Sequence, residues 1–103
     1  MKAKILVVDD EKVLRFTLQE FLSEAGYETT GAHDYKDAMG KLATEQFDVI
    51  FTDIILGGKT GIDLLREVKG KGLICPVIVI TGFPDVGTAS EAVRLGAFDY
   101  IRK

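Results

Sequence analysis

The chain alternates short apolar runs with segments whose apolar positions recur every three or four residues. KILVV, at residues 4–8, is rich in β-branched side chains and ends against Asp9, Asp10 and Glu11. It reads as a strand. Between residues 12 and 25, Leu14, Leu18, Phe21, Leu22 and Ala25 form a helical stripe that Gly26 brings to a stop. YETTGA, at 27–32, is a second and weaker strand. Asp34, followed three residues later by Asp37, marks a helix start, after which Tyr35, Ala38, Met39 and Leu42 share one face. FDVIFT, at 47–52, is the third strand. Thr60 is placed to cap the next helix, with Ile62, Leu64, Leu65 and Val68 inward and Gly70 and Gly72 at its end. PVIVIT, at 76–81, is apolar without alternation, as expected of a strand covered on both faces. Asp85 opens a fourth helix lined by Val86, Ala89 and Val93, with Gly96 just past its end, and FDYI at 98–101 is a fifth strand.

The order βαβαβαβαβ predicts an α/β fold, a doubly wound five-stranded parallel sheet with right-handed crossovers and helices on both faces. One domain accounts for residues 1–103. Such a domain usually closes with a further helix, and none is written after the last strand. We therefore expect a domain truncated at its C-terminus, with an uncovered apolar strip on one side of the sheet. That strip would make a homodimer a candidate assembly.

The formal net charge of −3 supplies no basic face for nucleic acid. No apolar run approaches the roughly 18 residues that span a bilayer. The opening MKAKILVVDD has too short an apolar stretch for a signal peptide and reads as the first strand. A cytoplasmic location fits these features. Cys75, beside Pro76, is the only cysteine. It reads as a buried small hydrophobe.

Ligands of open parallel sheets bind outside the carboxyl ends of the strands. In the order 2-1-3-4-5, strands one, three, four and five are neighbours. Their ends would bring Asp9, Asp10, Asp53, Thr81, Tyr100 and Lys103 to one rim. Two carboxylates about 5 Å apart repel by roughly 3 kcal/mol at an effective dielectric near 20. Three of them call for a cation, and hard oxygen donors in small number suit Mg²⁺. A carboxylate nucleophile, a Lewis acid, an ammonium and a hydroxyl together serve phosphoryl transfer, in which a carboxylate can itself become an aspartyl phosphate.

Blander readings exist for each residue. Asp9 and Asp10 could simply cap the first helix, Glu11 reads as a helix-start acid, and Asp53 could be a turn residue. The GKT at 58–60 invites a nucleotide-binding loop, but that motif needs glycine at position 53, where Asp53 would repel a triphosphate. Lys59 is then a solvated loop residue. Asp9-Asp10-Glu11 likewise argues against the flavin phosphate loop of a cofactor protein. Asp48 and Asp99 fall at strand starts, on the opposite rim, and His33 reads as exposed.

ILVVDDE at 5–11, VIFTDIIL at 49–56, VIVITG at 77–82 and AVRLGAFDYIRK at 92–103 resemble, in order and spacing, the receiver domain of two-component response regulators. The resemblance spans nearly the whole chain. It implies the flavodoxin-like receiver fold with Asp53 as phosphoacceptor. It further implies Mg²⁺ held by Asp10, Asp53 and the main-chain carbonyl of Ile55, with Asp9 assisting through water. Lys103 would pair with the phosphoryl group, Thr81 would bond one of its oxygens, and Tyr100 would change rotamer in response. The implied partners are a sensor histidine kinase or phosphotransfer protein, and an output domain in the parent chain or a protein target. Such a domain is regulatory rather than an enzyme: it catalyses only its own phosphotransfer and dephosphorylation, and switches the face formed by the fourth helix and fifth strand. The alternative is a pseudo-receiver, the same fold used as a phosphorylation-independent interaction module. Family members usually continue past the lysine with a proline and a final helix, which this sequence lacks. Ile55 and Phe83, flanking the site, suggest slow self-hydrolysis.

Overall fold

The computed structural model describes residues 2–56, 59–82 and 85–103. Its elements are β1 (Lys4–Val8), α1 (Lys12–Glu24), β2 (Glu28–Ala32), α2 (Tyr35–Thr44), β3 (Val49–Asp53), α3 (Gly61–Gly70), β4 (Val77–Thr81), α4 (Val86–Arg94) and β5 (Asp99–Arg102). The strands pair in parallel in the order β2-β1-β3-β4-β5, as the alternating pattern predicts. Phe83, expected beside the site, lies outside the described residues.

Three helices begin where a polar side chain satisfies otherwise unpaired N–H groups. Asp34 Oδ1 accepts from the Asp37 N–H at 2.7 Å. Thr60 and Asp63 form a reciprocal capping box at α3. Asp85 Oδ1 accepts from the Thr88 N–H at 3.0 Å and opens α4. Helix α1 ends at Glu24 with Ala25 as its C-cap, and Gly26 follows at φ +99, a backbone conformation that favours glycine. Helix α3 ends at Gly70 as expected, with Lys71 at its C-cap and Gly72 following at φ +73.

Alternate residues of the strands feed two apolar layers. On one side, Leu6, Val8, Ile50, Val77 and Val79 pack with Ala38 of α2, with Ile62, Leu64, Leu65 and Val68 of α3, and with Ala92 of α4. Full burial of each large aliphatic side chain stabilises by about 1.5–3 kcal/mol. On the other side, Ile5 and Val7 pack with Leu18 and Leu22 of α1, joined by Val49 and Phe51. No other helix among the described residues covers this side. The expected apolar strip is present: Phe51, Ile78 and Ile80 are only partly buried, and Ile101 is exposed. The fold is thus a doubly wound five-stranded parallel sheet with four helices among the described residues.

Two helical stripes differ from expectation. Phe21 of α1 and Ala25 at its C-cap are exposed, because α1 packs on the sheet along the narrower row of Leu18 and Leu22. In α4, Val86 and Val93 face solvent at 82% and 72% exposure, and the buried residue is Ala92. The rotation of α4 follows from a small residue that permits close approach and from a hydroxyl contact described below. Cys75 is half-buried rather than buried, packed at the margin of the larger core, and desolvation pushes its thiol above the usual range.

Candidate functional site

The pairing of β1, β3, β4 and β5 sets the carboxyl ends of four strands side by side. Asp9 follows β1 and is buried. Its N–H donates to the Ala32 carbonyl at 3.1 Å, and its Oδ1 accepts from the Glu11 N–H at 2.9 Å. Glu11 is the helix-start residue, as expected, and no side chain caps the first turn of α1. Asp10 is exposed at the mouth of the site.

Asp53 closes β3 and is nearly buried. Its Oδ1 accepts from the Ile54 N–H at 2.7 Å, and its Oδ2 accepts from Lys103 Nζ at 2.8 Å. Thr52 Oγ1 donates to the Asp53 carbonyl at 3.0 Å. Gly61, the first residue of α3, lies directly against that carbonyl. A Cβ there would sit 2.1 Å from the oxygen, so only glycine lets the helix start so close to the strand end. The glycine cluster after Asp53 is visible in the sequence, but this particular need arises only when the helix folds back.

Thr81 closes β4 and is buried, and its carbonyl accepts the Lys103 N–H at 2.8 Å, which fixes the lysine at the same rim. Lys103 Nζ also lies 3.2 Å from Asp9 Oδ2. Burial alone would push this ammonium down. Hydrogen bonds and charge from Asp53 and Asp9 outweigh it and hold Lys103 above the ordinary lysine value.

Tyr100 is half-buried on β5 at the edge of the larger core, and its hydroxyl lies 2.7 Å from Thr88 Oγ1 of α4. Thr88 Oγ1 in turn lies 3.1 Å from Asp85 Oδ2, so the tyrosine is tied to the cap of α4. Ile55 is 58% exposed and forms an antiparallel bridge with Thr60. The bridge is closed by flanking groups, Leu56 N–H to the Lys59 carbonyl and Gly61 N–H to the Ile54 carbonyl, and does not use the Ile55 carbonyl.

Asp9, Asp10 and Asp53 each present a carboxylate oxygen within 4.8 Å of the others. Asp9 Oδ2 is buried against the Lys103 ammonium at 3.2 Å and has no further partner among the described residues. Buried charge is costly unless compensated, and one ammonium pairs with two of these three carboxylates. The donor set therefore fits a hard divalent cation.

The other candidates stand apart. Asp48 and Asp99 are exposed on the opposite rim, accepting the N–H groups of Lys4 and Tyr100 at 2.7 and 2.8 Å. His33 is exposed, with Nδ1 2.9 Å from Asp37 Oδ2. Lys59 is exposed but not merely solvated, since its Nζ stands 4.8 Å from the centre of the Tyr35 ring. No helix among the described residues is long and apolar enough to cross a membrane.

A parallel α/β sheet with an acidic trio facing a lysine at its carboxyl edge defines the class. The family described as "Response regulator receiver domain" matches residues 5–103. A transcriptional regulatory protein of Helicobacter pylori, CrdR, is 35% identical over 104 residues, covering 100% of this chain and 49% of that protein. A CheY-like response regulator receiver domain protein from Methanospirillum hungatei superposes with a TM-score of 0.95 at 26% identity, over 100% of this chain and 82% of that one. A response regulator from Burkholderia pseudomallei, solved with a phosphorylated aspartic acid, a calcium ion and citrate, gives a TM-score of 0.92 at 31% identity, over 99% and 60%. The chain belongs to the receiver domain family of two-component response regulators, which are regulatory signalling domains. It spans half or less of the length of the curated relatives it matches.

Proposed function

We propose that Asp53 accepts a phosphoryl group and that Asp9, Asp10, Asp53 and the Ile55 carbonyl hold Mg²⁺ for the reaction. The observation carrying this reading is the close trio of carboxylates, in which the buried Asp9 Oδ2 has Lys103 as its one partner among the described residues. The cation, when bound, supplies neutralisation of charge on the transferring phosphoryl group. A carboxylate oxygen of Asp53 attacks phosphorus, a P–O bond forms, and the P–N bond of a phosphohistidine breaks with its electron pair leaving on the imidazole. Lys103, held charged beside Asp53 Oδ2, is placed to pair with the new dianion. Thr81, at the neighbouring strand end, is placed to donate to a phosphoryl oxygen.

Transfer of Lys103 from carboxylate to phosphoryl group would be felt along β5 at Tyr100. Its bond to Thr88 connects it to α4, so the exposed α4–β5 face is the surface that changes. The donor is a sensor histidine kinase or phosphotransfer protein, and the receiver of the signal is an output domain or protein target. The similarity to a transcriptional regulatory protein supports the former. The cytoplasm is the compartment proposed. The test is beryllium fluoride with Mg²⁺, followed by amide NMR. Wild type is expected to shift at Thr81, Tyr100 and Lys103, with no such change in Asp53→Asn. A silent wild type would favour the pseudo-receiver.

A further inference from the structure

Arg15 closes the first turn of α1, half-buried, and its Nη1 donates to the Asp9 main-chain carbonyl at 2.8 Å. With that bond, three polar groups of Asp9 are tied down by the chain: the N–H by Ala32, the carbonyl by Arg15 and Oδ1 by Glu11. The remaining one, Oδ2, is left facing the site, where it meets the Lys103 ammonium at 3.2 Å. We infer that Arg15 is a positioning residue for the cation site, its guanidinium clamping the Asp9 carbonyl so that the β1–α1 turn presents Asp9 and Asp10 toward Asp53. This inference rests on the Mg²⁺ reading given above.

The charge of Arg15 gives the idea a sharp sign. A guanidinium reaching back over a helix N-terminus opposes the helix dipole. Near a divalent cation it is also repulsive. As a mere nearby charge, Arg15 would weaken Mg²⁺ binding, and its removal would tighten it. As a clamp it does the reverse, because an oxygen ligand on an unheld turn has lost its preorganisation. The main chain of Arg15 is itself anchored, its N–H donating to the Glu11 carbonyl at 3.0 Å, so the reach of the side chain starts from a fixed turn.

The experiment is a Mg²⁺ titration by calorimetry on the full chain, with the melting temperature in chelator measured alongside. Arg15→Met keeps the aliphatic stem and helix propensity but removes donor and charge. Its Mg²⁺ Kd should rise about tenfold, the range seen when partners of a metal ligand are lost. Arg15→Lys retains the charge and one donor, and should recover most of the affinity; it also serves should Arg15→Met fold poorly. Saturable binding in wild type with equal or tighter binding in Arg15→Met would overturn this inference alone. A loss in both variants that merely tracks a lowered chelator melting temperature would overturn it too, assigning Arg15 to fold stability. No saturable binding in wild type would overturn the cation reading and the inference with it.

Discussion

At the lower rim of the sheet, Lys4 pairs with Glu45 and its N–H donates to Asp48; at the upper rim, Lys103 pairs with Asp53 and Asp9. Both lysines are held above the ordinary value: Lys4 chiefly by its hydrogen bond to Glu45, Lys103 by its carboxylates against the opposing cost of burial. The surroundings differ. The lower pair is 27% and 31% exposed, whereas the upper carboxylate side chains are 2% and 11% exposed. Solvated pairs contribute little and are screened by salt. Buried like charges that lack a full set of partners cost stability, and their retention is informative. The comparison teaches that burial, more than charge count, separates the upper rim from the lower one.

The largest expected effect tests how tightly the upper rim is built. Gly61→Ala should destabilise the protein by about 3 kcal/mol in urea unfolding, because a Cβ cannot coexist with the Asp53 carbonyl and the strand end must move. A smaller effect of opposite sign comes from Asp10→Asn. Relieving one of three mutually close carboxylates should stabilise the cation-free protein by about 1 kcal/mol while removing its stabilisation by Mg²⁺. Cation-free melting that is unchanged or lower would mean the trio is not strained. Thr88→Val removes the partner of the Tyr100 hydroxyl and should cost about 1 kcal/mol, with larger shifts at Tyr100 than at the lower rim by NMR.

The pH dependence follows from sign alone. A folded-state value of Lys103 above 10.5 means the folded protein holds the proton more tightly than the unfolded chain. That stabilisation is complete below the unfolded value and is lost as pH rises through the folded one. Melting curves across the alkaline range should therefore fall more steeply for wild type than for Lys103→Met. The smallest effect is the control: Glu45→Gln at the lower rim should leave the Mg²⁺ response unchanged.

Much of the upper rim was legible because a strand's last residue can be read from the end of its apolar run: Asp9, Asp53 and Thr81 fall where β1, β3 and β4 stop. The helix caps Asp34, Thr60 and Asp85 were legible for a similar reason, since capping is local. The phases of α1 and α4 were not. Phe21 and Val93 look inward by periodicity, but which stripe is buried depends on which neighbour helices exist. Gly61, Arg15 and Thr88 were silent for the same reason, because each acts through a contact made only when the chain folds back.

The most direct measurement is intact-mass spectrometry with peptide mapping after incubation with acetyl phosphate, with Mg²⁺ or with chelator. The account predicts one phosphoryl group on Asp53 in wild type with Mg²⁺, and none with chelator or in Asp53→Asn. Equal labelling of wild type and Asp53→Asn, or labelling indifferent to Mg²⁺, would contradict it.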